Sequence, residues 1–489
     1  MHFLLDTNIL ISAEPTSPED IESRTPAIVT LLNLFNRGSH VAMIHPASVQ
    51  EVLGDKNESR VATRELLLGK YPRLQRPPPV SSRLLAELGS PKEGSNSAID
   101  LLLLSVLEAN AVDYFVTEDD GIHRRARRVG LGDRVLTAAD AIVTLAALFP
   151  SVPESPPFVS ARLAHELDET DPVFDSFRAD YPPFNAWLAK CKREQRQAWV
   201  IETGKKYGGV CIVVHQSPNE YGLPGKILKL CSFKIADSYR GYRYGELLLK
   251  TLFGYLVKNE FDGVFVEVLP KHQELFDLFA DFGFLDVRES SKRERVLFKA
   301  LKPPAQHAEK LTPLEFNIRY GPFALTLAGA NVYVVPIRPQ FHRLLFPELE
   351  PQLVLRTESH PFGNSIRKAY LSHSHIRKIT AGDVLLFYRS QISPAITAIG
   401  VAESTLVSSN PSDVAHFVGK RTVYSFEEIV AMAAKPILAV QFRLARGAKP
   451  AWELDQLIKE GIIKRAPQSF MQVAEEGVKW VASRLAVPH

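Results

Sequence analysis

The chain has 489 residues, of which 45% are hydrophobic and 23% charged, and a formal net charge of +3. That length points to about three domains of roughly 100 to 200 residues each, and the balance excludes general disorder and a fibrous repeat. Three cysteines, Cys191, Cys211 and Cys231, are too few and too scattered for a disulfide scaffold or a closed cysteine zinc site, so a cytoplasmic location is expected. No run approaches the roughly 18 apolar residues of a membrane span, and Asp6 and Asn8 interrupt the apolar N-terminus, so neither a membrane partner nor a signal peptide is expected.

The charge is uneven: −4 over residues 1–150, +1 over 151–312 and +6 over 313–489. Two proline-rich stretches, Pro150–Pro157 and Lys302–His307, read as linkers, because proline fixes φ and extends neither a helix nor a central strand. They divide the chain into expected domains 1–150, 158–302 and 313–489. A third such stretch, Pro72–Pro79, is read as a loop inside the first.

In residues 1–150, β-type runs at Phe3–Leu5, Val41–Ile44, Tyr114–Val116 and Arg134–Leu136 alternate with helical spacing over Ile28–Phe35, Pro46–Leu53, Ala98–Ala109 and Ala138–Phe149. That order predicts a parallel α/β sheet covered by helices. Ligands bind outside the carboxyl ends of such strands. Asp6 directly follows the first strand, and Asp119, with Asp120 beside it, follows the third. Glu51 lies one turn into the helix opened by Pro46, and Asp100 lies in the first turn of its helix. Singly, each acid reads as a cap or a dipole partner. Together they read as carboxylates that repel unless a divalent cation holds them.

Leu4-Leu-Asp-Thr-Asn-Ile-Leu10, Val49-Gln-Glu-Val-Leu53, Asp100 before an apolar helix, and Val116-Thr-Glu-Asp119 resemble the PIN-domain ribonucleases over residues 1–145. The resemblance implies hydrolysis of an RNA phosphodiester, with Asp6, Glu51, Asp100 and Asp119 as catalytic ligands of Mg²⁺ or Mn²⁺. Asn8 and Thr117 would orient the acids. The long proline-rich insertion before Asp100 departs from the family pattern.

Residues 158–302 predict mixed α/β structure with strands at Ala198–Glu202, Gly209–Val214, Ile227–Ile235, Val264–Val268 and Arg295–Lys299. After the third, Asp237-Ser-Tyr-Arg-Gly-Tyr-Arg-Tyr-Gly245 leads into a helix over Glu246–Lys258, and such a turn aims backbone N–H groups and a helix dipole at an anion. This strand, turn and helix, then Val266-Glu-Val-Leu-Pro-Lys-His272 and Leu275–Phe284, resemble the GNAT acetyltransferases over residues 165–300. The resemblance implies acetyl-CoA as cofactor, bound at Arg240, Gly241, Arg243 and Gly245. In two places the sequence departs from the family: Arg243 replaces the middle glycine of the turn, and Phe279 stands where many relatives carry a tyrosine general acid. Glu267 and His272 are the candidates to move the proton instead.

Residues 313–489 give strands at Asn331–Val335, Asp383–Tyr388, Ala395–Val401 and Ile437–Phe442, which predict a small barrel or a strongly bent sheet. His375–Tyr388, with Thr397–Ala402 after it, is similar to the PUA-like domains of the ASCH and EVE kind. Arg367, Lys368, Tyr370, His373, His375, Arg377 and Lys378, followed by Phe387, Tyr388 and Arg389, mix cations with aromatic rings as binders of single-stranded RNA do. A basic domain of this kind would deliver RNA to an acidic nuclease that repels it.

The whole reads as a multidomain α/β protein: a metal-dependent PIN-type ribonuclease joined to a GNAT-like acetyltransferase and a basic RNA-binding domain. The expected partners are single-stranded or tRNA-like RNA, an antitoxin or regulatory protein if the chain is toxin-like, and a second copy, since PIN domains often pair. The alternative is an acetyl-CoA-dependent N-acetyltransferase, or an acetyl-CoA-sensing scaffold, whose first domain is inactive or only binds nucleic acid.

Overall fold

The structure, a computed structural model, describes residues 1–13, 24–38, 40–54, 57–92, 94–149, 158–203, 206–239, 243–303, 311–349, 365–391 and 393–485. The expected linker at Pro150–Pro157 and most of that at Lys302–His307 lie outside these residues.

Strands β1 (His2–Leu5), β2 (Val41–Ile44), β3 (Tyr114–Val116) and β4 (Val135–Leu136) form a parallel sheet in the order β2-β1-β3-β4. A parallel sheet covered on both faces needs apolar residues at successive positions. In β1, Phe3 and Leu5 enter one core and Leu4 the other. Around the sheet run α1 (Thr7–Ala13), α2 (Thr25–Arg37), α3 (Pro46–Leu53), α4 (Glu58–Leu68), α5 (Ser82–Leu88), α6 (Asn96–Glu108), α7 (Asp120–Arg128) and α8 (Ala138–Leu148). Side-chain caps start them where hydroxyl residues precede apolar runs: Ser95 Oγ accepts from Ala98 N at 3.3 Å and Thr137 Oγ1 from Asp140 N at 3.0 Å. Pro72–Pro79 is a loop tied to β2, with Leu74 N donating to Ile44 O at 3.0 Å.

A second, seven-stranded sheet has the order β10-β11-β9-β8-β7-β6-β5. Its strands are β5 (Phe158–Leu163), β6 (Gln197–Thr203), β7 (Lys206–His215), β8 (Ile227–Ile235), β9 (Gly263–Val268), β10 (Leu285–Glu289) and β11 (Arg295–Ala300). Neighbours are antiparallel except β8 and β9, which run parallel. Helix α10 (Phe184–Arg193), preceded by α9 (Asp175–Asp180), packs on the face carrying Ala198, Val200 and Ile212. Helices α11 (Tyr244–Lys258) and α12 (Gln273–Asp281) cover the opposite face, with Trp199, Ile201 and Val213. This alternation along β6 and β7 is the period of two that a sheet imposes.

The third sheet, β13-β16-β15-β14-β12-β17, is made of β12 (Val332–Ile337), β13 (Arg367–Ser372), β14 (Val384–Arg389), β15 (Ala395–Ser408), β16 (Ile437–Glu453) and β17 (Met471–Gln472). It corrects the barrel expectation, because β13 and β17 end the order without pairing with each other. Register shifts along the long β15–β16 pair bend it without closing it. Helix α13 (Pro313–Tyr320) joins this sheet to the second. The buried Lys299 Nζ of β11 donates to the Ile318 and Arg319 carbonyls at its C-terminal end, each at 3.1 Å. Gly283, at φ 77°, lies so close to α13 that a β-carbon there would overlap the Ile318 carbonyl.

The three units pack against one another. His416 Nε2 lies 3.0 Å from Asp113 Oδ1, Tyr114 OH donates to Ala415 O at 3.4 Å, and Arg127 pairs with Asp277 at 2.8 Å. Burial alone would raise the Asp113 carboxyl, but the His416 and His2 hydrogen bonds hold it down at about 2. A depressed acid stabilises the fold above its unfolded value, and that contribution disappears as pH falls through the folded one. Asp113→Asn should therefore lower the melting temperature at pH 7, and the variant and wild type should converge as pH drops from 3.8 through about 2 in a thermal melt series.

Candidate functional site

The four acids of the first unit each meet protein donors. Asp6, 6% exposed, accepts Thr7 N on Oδ1 at 2.8 Å, and Asn8 Nδ2 at 2.8 Å and Thr117 Oγ1 at 2.5 Å on Oδ2. Glu51 accepts Thr7 Oγ1 at 2.5 Å. Asp100 is paired with Arg125, whose second nitrogen donates to Ser97 Oγ at 3.2 Å. Asp119 caps α7, taking Gly121 N at 2.5 Å and Ile122 N at 3.0 Å. The carboxylates do feel one another. Burial pushes Asp6 up against its hydrogen bonds, with Glu51 and Asp119 adding to the rise, and burial pushes Asp100 to about 6 against Arg125. Yet among the described residues no three His, Cys, Asp or Glu side chains stand together so as to hold a metal ion. Asp6, Glu51, Asp100 and Asp119 are thus near enough to act on one another's charge, while each is held by protein donors. Asn8 and Thr117 stand where they were expected, orienting Asp6.

A different site opens in the second sheet. The β7–β8 register passes from Ile212↔Ser232 to Val213↔Leu230, leaving Cys231 as a one-residue bulge. A bulge bends its strand and increases the local twist. Pairing between β8 and β9 ends at Leu230↔Val266, beside that bulge, although β8 continues to Ile235 and β9 to Val268. Past it the two strands part, and main-chain groups facing the gap lack a ladder partner across it among the described residues. The gap opens into a cleft of about 1510 Å³ that also touches Asp120 and His123 of the first unit and Arg421 of the third.

One wall of the cleft is polar. Ser232 pairs with Ile212, which packs towards α10, so Ser232 faces that side; it is 4% exposed and its hydroxyl has no partner among the described residues. Lys229 Nζ lies 2.7 Å from Glu267, which also accepts from the Tyr221 hydroxyl. His272 Nε2 is 3.0 Å from Asp180, which also pairs with Lys271. Tyr181 OH donates to Glu294 at 2.9 Å. Burial and then the Glu294 charge raise the Tyr181 phenol above its ordinary range, so it stays protonated at neutral pH. Glu267 and His272, chosen from sequence, thus line one cleft together with Tyr181 and Glu294, which sequence reasoning missed. Tyr181 and Glu294 are 113 residues apart and no motif links them.

The cofactor turn differs from expectation. Arg240 and Gly241 lie outside the described residues. Arg243, at φ 59° and ψ 25°, uses its Nη1 for Glu246 and, at 2.7 Å, for Ser365 Oγ, while its buried Nε has no partner among the described residues. A β-carbon on Gly245 would stand 3.0 Å from Leu278 Cδ2, which shows that α12 fills the space beside this glycine. Phe279 is fully buried, its ring 5.4 Å from Phe233 and 4.8 Å from Phe284.

Half of the expected RNA face is interior. Arg367 pairs with Glu403 at 3.0 Å and Asp281 at 3.1 Å. Lys368 is fully buried, which lowers its ammonium to about 7, and Tyr370 donates to Pro336 O at 2.9 Å. Phe387 and Tyr388 lie on β14, inside the sheet and buried on both faces. His373, His375, Arg377 and Lys378 remain at the surface.

Mn²⁺ or Mg²⁺ should leave the melting temperature unchanged, whereas an ion bound at a hundredfold excess over its Kd would add about 2.7 kcal/mol. Asp119→Ala should destabilise by about 1 kcal/mol through loss of the α7 cap, measured by chemical denaturation.

The sequence matches no family model and no curated relative. Among solved structures, the ASCH protein of Zymomonas mobilis is 12% identical and covers 31% of this chain and 94% of its own, with a TM-score of 0.25. The Campylobacter jejuni N-acetyltransferase PseH, in complex with acetyl coenzyme A, is 12% identical and covers 30% of this chain and 100% of its own, with a TM-score of 0.23. An IAA acetyltransferase from Bacillus cereus is 14% identical over 29% of this chain and 97% of its own, with a TM-score of 0.24.

Proposed function

We propose that the protein is an acetyl-CoA-dependent N-acetyltransferase working in the cleft between β8 and β9. The observation that carries this reading is the parting of two parallel strands at the Cys231 bulge, beside a wall bearing Ser232, Tyr181, Glu267 and His272. Acetyl-CoA has a long amide-bearing arm, and open main-chain N–H and C=O groups along β8 and β9 suit such an arm as a sheet edge suits an extended peptide. The cleft has the room and the donors for it.

When bound, the cofactor supplies an activated acetyl thioester. The chain's own residues hold the acceptor and move its proton. An ammonium cannot attack a carbonyl, so an acceptor amine must first lose a proton; Glu267 and the His272–Asp180 pair are the bases on that wall. Tyr181 is the hydroxyl on that wall that would pass its proton to the sulfur as the C–S bond breaks. Phe279 favours a second reading, a sensor that binds acetyl-CoA without turnover, because an apolar ring cannot donate a proton.

Titration calorimetry of the full chain with acetyl-CoA should show stoichiometric binding, and primary amines should release free thiol from it. Binding without thiol release would favour the sensor, and no binding would overturn both readings. Tyr181→Phe should lower kcat by about 10²-fold while leaving the KM for acetyl-CoA unchanged.

A further inference from the structure

We propose that the third unit holds α11 in place: Ser365, at the entry to β13, ties down the first turn of α11, which lines the cleft through Tyr244 and Gly245, so that acetyl-CoA affinity in the second unit depends on the seating of the third. This rests on the acetyl-CoA reading above, and the geometry goes beyond it. Arg243 adopts a left-handed backbone at φ 59°, a conformation that residues other than glycine seldom take. Glycine would relieve that strain but has no side chain to reach across the interface. Arg243 instead donates to Glu246 and, at 2.7 Å, to Ser365 Oγ.

Glu246 closes the tie. Its Oε2 accepts Ser365 Oγ at 2.7 Å, Ile366 N at 3.0 Å and Arg367 N at 3.3 Å, which couples the first turn of α11 to three successive residues of the third unit. Burial opposes a charge here, but Arg243 and the donors from Ser365 and Arg367 hold the carboxyl down at about 2. An acid in a first helical turn ordinarily serves its own helix dipole. This one is 8% exposed and faces another unit, so its partners set the direction of the α11 N-terminus. Arg243 and Ser365 are positioning residues in this account.

The test uses the full chain and acetyl-CoA. Ser365→Ala and Arg243→Gly should each raise the Kd for acetyl-CoA about tenfold, the effect of one charge-assisted hydrogen bond. The double variant should lose less than the sum of the single ones, because Arg243, Ser365 and Glu246 form one linked group, and Ile366 N and Arg367 N still hold Glu246. In steady state the change should appear in KM with kcat largely retained, and amides of Gly245–Leu248 should exchange faster with solvent in Ser365→Ala. Wild-type affinity in Ser365→Ala would overturn the tie, as would additive losses, which would place Arg243 directly on the cofactor. Failure of the wild type to bind acetyl-CoA would instead overturn the cofactor reading, and unchanged amide exchange in Ser365→Ala would then overturn the tie by itself.

Discussion

Buried cations at the junction of the units need acids beside them, from their own sheet and from across the junction, and much of the architecture follows from that constraint. Arg443, with a side chain only 4% exposed, and Arg367 converge on Glu403 of β15 at 2.8 and 3.0 Å. Burial would raise that carboxyl, but the two guanidinium groups hold it at about 2. The same two arginines reach the end of α12, through the Asp281 side chain at 3.1 Å and its carbonyl at 2.7 Å. Arg421 of the third unit pairs with Asp133 of the first at 3.3 Å. Removing one partner of a buried pair leaves an uncompensated charge, a loss of about 3–5 kcal/mol. The third unit meets the second at the face that carries α11 and α12, through Glu246 and Asp281, and α11 and α12 wall the cleft.

Within the second unit a local irregularity does the rest. One extra residue at Cys231 ends the only parallel pairing in its sheet, and the cleft begins there. The polar wall is assembled from distant parts of the chain: Tyr181 before α10, Ser232 and Lys229 on β8, Glu267 on β9 and Glu294 at the start of β11. The opening comes from the backbone and the chemistry from side chains that only the folded sheet brings together.

The first unit shows how the same residues can serve a different end. Acids after parallel strands lie where a ligand site forms in such folds. Here Asp119 caps a helix, Asp100 faces Arg125, and Asp6 is satisfied by Thr7, Asn8 and Thr117. Asp119 thus serves as a helix cap and Asp100 as an ion-pair partner, while the charges of Asp6 and Asp119 still act on Asp100.

The sequence by itself determined the elements. Short apolar runs placed most strands of the three sheets, and the order of strand and helix made the first sheet parallel, because local periodicity acts over a few residues. It also marked Glu267 and His272. What it left open required contacts between distant segments. The missed strands β5, β10, β13 and β17 are edge strands of their sheets, with weak patterns of their own. The basic and aromatic stretch from Arg367 to Tyr388 looked like a surface because composition carries no record of burial. Only the tertiary structure supplied Glu403, Asp281 and Glu246 as the acids that let cations such as Arg367 and Arg443 be buried, and only it set Tyr181 beside Glu294. A buried charge is settled by partners that can lie a hundred residues away, and no local pattern encodes them.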